Sequence, residues 1–185
     1  MKYLVFFAVF LCSFAANAAN FSFTGNLTGD DDYQLFNFTL NSASNVTLHT
    51  TSFGNGGFDP VILLFDGTVD PDTGLHALIT YNDDEDGSDV SLWDSIIAES
   101  LEAGFYIIAL AQSGHDEALF PFLEDAFSGQ YGSGEHDFNG LLSTWSLNIE
   151  GVDTASIGAS PVPVPAAVWL FGSALMGLSG FRKKA

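Results

Sequence analysis

Positive charge is nearly absent from this 185-residue sequence, where four Lys and Arg stand against 23 Asp and Glu. Lys2 precedes the first apolar run, and Arg182, Lys183 and Lys184 follow the last, so no Lys or Arg lies between Ala19 and Phe181. Without those four terminal cations the formal charge moves from −19 to −23. Such a surface repels phosphate, because nucleic-acid affinity depends on cations that displace counterions. Nucleic acid is thereby excluded as a partner, as are Arg-clamped phosphoryl transfer and membrane contact through a basic patch. Cysteine is as scarce. The single Cys12 sits in the N-terminal apolar run and is expected to leave with it, so the mature chain should hold no thiol, disulfide or thiolate ligand. Thiol-protease and Cys-ligated zinc chemistry go with it. Also missing are a Gly-x-Ser-x-Gly elbow, a His-Glu-x-x-His pair, a Gly-rich phosphate loop and any repeat of fixed period.

What is present begins at the two ends. Lys2, the apolar stretch Leu4 to Phe14 and the small-x-small site Ala16-Asn17-Ala18 form the pattern of a secretory signal peptide, with cleavage expected between Ala18 and Ala19. Leu11 stands where a lipid-attachment box before Cys12 needs a small residue, which argues against a lipoprotein. At the other end, Pro161-Val162-Pro163-Val164-Pro165 leads into an apolar run from Ala166 to Phe181 and then Arg182-Lys183-Lys184. Sixteen helical residues cover about 24 Å, a little short of a ~30 Å hydrocarbon core, so a spanning helix needs thinning or flanking help. The basic cluster is expected to stay cytoplasmic, which puts the body outside, in agreement with the leader. The resulting plan is a signal peptide (1–18), a β-sandwich domain (19–152), a linker with Pro-rich motif (153–165), a transmembrane helix (166–181) and a basic tail (182–185).

The stretch from Val162-Pro163-Val164-Pro165 through Leu178, followed by Arg182-Lys183-Lys184, resembles a PEP-CTERM protein-sorting segment. The same signature has also been labelled an ice-binding-protein C-terminal motif. The resemblance implies a Gram-negative exporter in which an exosortase-type enzyme cuts near the Pro-rich motif. The precursor would be held transiently in the inner membrane and then moved to the cell surface or extracellular matrix, alongside exopolysaccharide production. The usual Glu between the prolines is Val164 here.

Between Asn20 and Gly151 short apolar segments alternate with Asp, Asn, Gly and Ser. Tyr33 to Leu40 places Phe36, Phe38 and Leu40 on one side and Tyr33, Leu35, Asn37 and Thr39 on the other, the period-2 pattern of a strand. Val46–Phe53, Pro60–Phe65, Leu75–Tyr81, Ile96–Leu101, Phe105–Ala111 and Leu142–Ile149 read likewise, and Phe21–Gly25 is a short first strand. Glu102-Ala103-Gly104 predicts a hairpin turn. Seven to eight short strands at this spacing predict an all-β, antiparallel sandwich or jelly roll. Glu117 to Phe127 is the one candidate helix, interrupted by Pro121, and Ser128 to Gly140 is a Gly-rich loop.

Asp31-Asp32-Tyr33, then Gly57 to Asp66, Tyr81 to Asp84 and Leu101 to Ile108 follow an order similar to the bacterial pre-peptidase C-terminal domain and its relatives. That resemblance covers under half the chain and implies a small jelly-roll sandwich without catalysis of its own, some members binding calcium and some binding matrix polymers.

The acidic excess is mostly Asp, 16 of the 23. Short carboxylates grouped in turns suit calcium, which takes 6–8 oxygens at ~2.3–2.6 Å from flexible loops. Asn82, Asp84 and Asp86 alternate ahead of Gly87, as in the first half of an EF-hand loop, with Asp83 and Asp89 alongside. Trp93 occupies the twelfth position, where that loop needs Glu, so an EF-hand is rejected and an Asp-rich calcium turn remains. Asp30, Asp32, Asp59 and Asp66 are candidates to complete it if their loops meet at one end of the sandwich. The bland readings are a solvated acidic turn or adaptation to a saline habitat. Against solvation alone, a body without internal cations cannot relieve carboxylate repulsion by salt bridges.

Trp93, beside the acidic turn, is the candidate sugar-stacking residue, whereas Trp145 reads as core. His115-Asp116 and His136-Asp137 are His-carboxylate neighbours of the kind that serve in a metal site or as a general base; His49 and His76 fall in strand patterns. The leading expectation is a non-enzymatic exported protein of the surface or matrix, stabilised by calcium. The alternatives are a carbohydrate-binding module for an exopolysaccharide and, behind it, a secreted hydrolase.

Overall fold

A computed structural model of the chain describes residues 19–30, 32–84, 93–113, 122–126 and 138–158. Among them are nine strands: β1 (Ala19–Asn26), β2 (Tyr33–Leu40), β3 (Ser44–Thr50), β4 (Pro60–Asp66), β5 (Leu78–Asn82), β6 (Ile96–Leu101), β7 (Gly104–Gln112), β8 (Thr144–Val152) and β9 (Thr154–Ile157). One turn of helix, α1 (Leu123–Ala126), and a 3-10 turn at Phe53–Asn55 complete the elements. Of the segment expected to be helical from 117 to 127, only these four described residues are. No helix among the described residues is long and apolar enough to cross a membrane; the signal peptide and the expected helix over 166–181 lie outside them.

The strands form two antiparallel sheets, a four-stranded one in the order β1-β8-β3-β6 and a five-stranded one in the order β5-β4-β7-β2-β9. All-β architecture and antiparallel pairing are as the alternation predicts. Between the sheets lies the main core, where Phe36 and Phe38 from β2, Leu48 from β3, Ile62 and Leu64 from β4 and Leu147 and Ile149 from β8 are fully buried. Phe36 stacks edge-on to Trp145 at 5.3 Å, so Trp145 is core, as its place in a strand suggested. Alternation sets this arrangement, since successive side chains of a strand face opposite ways.

β4 and β7 do not alternate. Both read as continuous apolar runs, and both faces of each are buried. On the side away from the main core, Val61, Leu63, Phe65, Ile107, Ala109 and Ala111 form a second apolar cluster, joined by Leu123 of α1. α1 is clasped to the start of β5. Leu123 N–H donates to His76 O at 3.0 Å, and the Glu124 carboxylate takes the His76 backbone N–H at 3.0 Å and lies 2.6 Å from its Nδ1. The connection between β7 and β8 thus reaches the far end of the five-stranded sheet before returning.

Three expectations require correction. Glu102-Ala103-Gly104 is not a hairpin turn. β6 pairs with β3 and β7 with β2 and β4, so this link steps between sheets ~10 Å apart. A two-residue hairpin calls for Asn-Gly, Asp-Gly or a leading Gly, which Glu-Ala does not supply; Tyr106 Oη donates to Glu102 O at 2.8 Å and pins the crossing. β3 stops at Thr50 rather than Phe53, because the backbone N–H groups of Phe53 and Gly54 turn aside to donate to Asp94, both at 3.0 Å. β9 is a ninth strand, four residues long, too short to show a period. It is reached through Gly151, whose φ of 82° and close approach to Asn45 O leave no room for a Cβ and produce a bulge opposite Ala19–Asn20.

The second cluster yields a test. Ile107→Ala should cost about 2–5 kcal/mol in urea unfolding, the range for a large buried aliphatic. A sheet face open to solvent would register below about 0.5 kcal/mol.

Candidate functional site

Chain order determines which loops share an end. The connections 27–32, 51–59, 83–95 and 113–143 all emerge at one end of the sandwich, here the upper end, and 41–43, 67–77, 102–103 and residue 153 at the other. Asp59 stands immediately before β4, Asp83 immediately after β5, and Ser113 immediately after β7. Because these three strands are neighbours in the order β5-β4-β7, the three residues come together at the upper end. Ser113 N–H donates to Asp59 O at 2.8 Å, fixing the chain there.

The Ser113 hydroxyl is hydrogen-bonded to the carboxyl groups of both Asp59 and Asp83. A hydroxyl has one proton to donate, so it satisfies one carboxylate and can only accept from the other. The remaining oxygens, Asp59 Oδ1 and Asp83 Oδ1, are buried without a partner. Burial, followed by the charges of Asp83 and Asp84, pushes the Asp59 carboxyl up to about 7, against the opposing Ser113 bond. Burial also raises Asp83, with the Ser113 bond opposing and Asp84 adding to the rise. Two desolvated carboxylates facing one hydroxyl share a proton or a cation.

The other expected ligands divide. Asp84 is exposed beside the pair, and its charge bears on both members. Asn82 Oδ1 accepts from Ile96 N–H at 2.8 Å, tying the end of β5 to the start of β6 across the sheets. Asp30 and Asp32 also lie at the upper end, but on the approach to β2, two strands or ~10 Å from β4. Burial raises the Asp32 carboxyl, yet bonds from Thr28 N–H, Thr28 Oγ1 and Tyr33 N–H outweigh it and hold the group below the usual range. Asp66 is at the wrong end. It closes seven-residue β4, about 20 Å from Asp59, and accepts from Thr68 N–H in a local turn. Its removal from the expected cluster follows from strand length alone. Asp86 and Asp89, and both His-Asp neighbours, lie outside the described residues. Among the described residues no group of three or more His, Cys, Asp or Glu converges as a metal centre.

Trp93 is 48% exposed, its ring 5.9 Å from that of Phe53 in the 3-10 turn. Its neighbour Asp94 is the important residue that the sequence did not disclose. Only 2% exposed, the Asp94 carboxylate accepts from Thr50 Oγ1, Phe53 N–H and Gly54 N–H, each at 3.0 Å. Ser95 Oγ sits 2.7–2.9 Å from the carbonyls of Pro60, Asn82 and Asp83. Asp94 and Ser95 thereby lock the upper end into one geometry. Nothing local marks them, because all their partners are at least 12 residues away.

No protein-family model matches the chain, and no curated protein matches its sequence.

Two predictions follow from the carboxylates. Asp59 binds a proton in the folded state up to about pH 7, whereas the unfolded group loses it near 3.8. Its contribution is therefore complete below about pH 4 and lost as pH rises through 7. In chelator, Asp59→Asn should melt at higher temperature than wild type at pH 8.5, and the gap should close toward pH 5. Asp94→Ala, by contrast, leaves two backbone N–H groups and a hydroxyl unpaired and should cost about 3 kcal/mol in urea unfolding at pH 7.

Proposed function

We propose that the chain is an exported, non-catalytic β-sandwich of the cell surface or extracellular matrix, steadied by calcium at its upper end. The observation that carries this reading is the Asp59–Asp83 pair, two carboxylates with buried, unpartnered oxygens in a body that has no Lys or Arg to neutralise them. Calcium supplies the missing charge and accepts several oxygens at once. Ser113 and Asp84 stand next to the pair, and the sequence adds Asp86 and Asp89 as expected ligands on the same loop. A fold of the jelly-roll kind is consistent with strands that pass repeatedly from one sheet to the other.

The address comes from the sequence. β1 opens at Ala19, directly after the expected cleavage site, and β9 closes at Ile157, ahead of the Pro161–Pro165 motif. The folded body thus fits between the signal peptide and the sorting segment that an exosortase-type enzyme would process. The inner membrane is then a transient station, and an exopolysaccharide matrix the destination.

A calcium site with Kd of ~10⁻⁴ M in ~1 mM calcium adds about 1.4 kcal/mol. Calcium at 1 mM should therefore raise the melting temperature by about 3–6 °C over chelator at constant ionic strength. Asp59→Asn with Asp83→Asn should abolish the response. Equal melting in calcium and chelator would remove the metal, and an uncut precursor in the cytosol of the host, seen by mass spectrometry, would remove the export.

A further inference from the structure

The outer face of the four-stranded sheet contrasts with the rest of this acidic body. Across β1 and β8 the outward pairs in register are Ser22–Asn148, Thr24–Ser146 and Asn26–Thr144. On β3 and β6, Asn45 faces Ser100, with Thr47 and His49 following on β3. Among the described residues at outward positions of these strands, the one carboxylate is Glu150, at the lower end. The hydroxyls and amides are held in place. Ser22 Oγ donates to Asn148 Oδ1 at 2.6 Å, and Ser100 Oγ to Asn45 Oδ1 at 2.7 Å.

At the upper end this face opens into a groove of about 440 Å³, bounded by β1, β8 and the 3-10 turn. Its lining includes Thr24, Asn26, Thr51, Asn55 and Thr144 together with the Trp145 ring, and no charged side chain. Thr24, Asn26, Asn55 and Thr144 are exposed, so their donors and acceptors face solvent. Thr51 Oγ1 donates to Ser146 Oγ at 3.0 Å, and Asn55 Nδ2 to Thr51 O at 2.7 Å, which fixes the opposite wall. Gly25 is required beneath: a Cβ there would fall 2.3 Å from the Trp145 ring, so only glycine lets β1 lie flat over the buried indole. The volume lies within the ~300–1,000 Å³ of small-molecule sites.

We propose that this groove and the adjoining face of β1 and β8 bind an uncharged glycan segment, with Thr24, Asn26 and Thr144 contacting the sugar hydroxyls. Charge selects the ligand. A polyuronate or other polyanion meets a body of charge −23, and a wholly apolar ligand would strip water from the side chains of Thr24, Asn26 and Thr144 without replacing its hydrogen bonds. A second copy would bury one largely neutral, polar face against another, with few apolar side chains to drive association. Side chains that both donate and accept, on a rigid sheet, match the hydroxyls of a neutral sugar and lose little freedom on binding. The inference rests on the export reading only for where the glycan is met; the chemistry of the groove stands without it.

The test is affinity electrophoresis of the full chain, kept soluble in a sugar-free detergent, through gels containing dextran, hydroxyethyl cellulose, galactan or alginate. Retardation by at least one neutral polymer and none by alginate is expected. Asn26→Asp with Thr144→Glu should weaken it tenfold or more while the melting temperature and its calcium response persist. Thr24→Val, which removes one hydroxyl at constant shape, should weaken it about threefold and covers the case in which the double variant does not fold. Passage unhindered by every neutral polymer, retention equal in the variants, or preference for alginate would overturn the proposal. Loss of the calcium response with glycan retention intact would instead strike the metal and leave the groove.

Discussion

Carboxylates without cations are the constraint on which the rest of this structure depends. With no Lys or Arg between residues 19 and 181, the ordinary remedy of a Lys or Arg ion pair is closed, and the described acids find their partners among backbone N–H groups, hydroxyls and, for Glu124, a histidine. Asp94 takes two backbone N–H groups and a hydroxyl, Asp32 does the same within its own turn, and Asp153 accepts from Asn41 N–H. Asp66 and Asp70 close local turns onto backbone N–H groups. Glu124 pairs with His76, and although burial pushes its carboxyl up, the His76 bonds prevail and hold it below the usual range. These are charge-assisted bonds, roughly twice as strong as neutral ones, and they replace salt bridges with turn geometry. Asp59 and Asp83 stand apart because strand order has brought two of them to one hydroxyl.

The same constraint distributes function over the surface. Acids collect in connections, where backbone N–H groups are free, and apart from Glu150 stay off the outer face of the four-stranded sheet, where ladder bonds already occupy the backbone. The upper end gathers the connections with Asp32, Asp59, Asp83 and Asp94, while β1 and β8 carry Ser, Thr and Asn. On the five-stranded sheet the outer face of β4 and β7 is apolar and covered, while β2 and β9 carry Asn37, Thr39, Thr154 and Ser156 beside it. Acidic, neutral polar and apolar surfaces thus arise from one pair of sheets. The His76–Glu124 clasp belongs to this arrangement, since it fastens α1 at the far end of the apolar face.

Much of the fold was legible where the local pattern had one interpretation. Tyr33–Leu40 and Ile96–Leu101 are strands with the boundaries that their alternation and flanking turns indicate. The continuous runs of β4 and β7 announced strands but not why alternation failed, because among the described residues packed on the second cluster Leu123 comes from the β7–β8 connection and Leu35 and Leu78 from other strands, all distant in sequence from β4 or β7. The supposed hairpin at 102–104 erred for a similar reason, since a short link looks alike whether it joins neighbours in one sheet or crosses between two. For the candidate site, composition gave the carboxylates but not their grouping. Asp59, Asp66 and Asp83 look equivalent as turn residues, and only the order β5-β4-β7 and the length of β4 join the first to the third and exclude the second. The neutral face was present in β1 as Asn20, Ser22, Thr24 and Asn26, yet a polar alternation means little until β8 aligns its own beside it.

Two carboxylates at the ends of neighbouring strands also bear on when the proposed metal would act. A cage of many charged ligands binds calcium at micromolar levels or tighter, whereas extracellular modules with fewer ligands bind at about 10⁻⁴–10⁻³ M. A calcium site built around Asp59 and Asp83, as proposed, would belong to the weaker group, filling in millimolar calcium and releasing the ion where free calcium is low. Empty, the pair either retains a proton, as the raised Asp59 value allows, or holds two like charges in a desolvated corner. The full stability of the body would then be reached only after translocation, when the ion replaces the proton. For an exported chain that order would help, since a chain less stable before it crosses a membrane is easier to keep unfolded, and one steadied afterwards is harder to reverse.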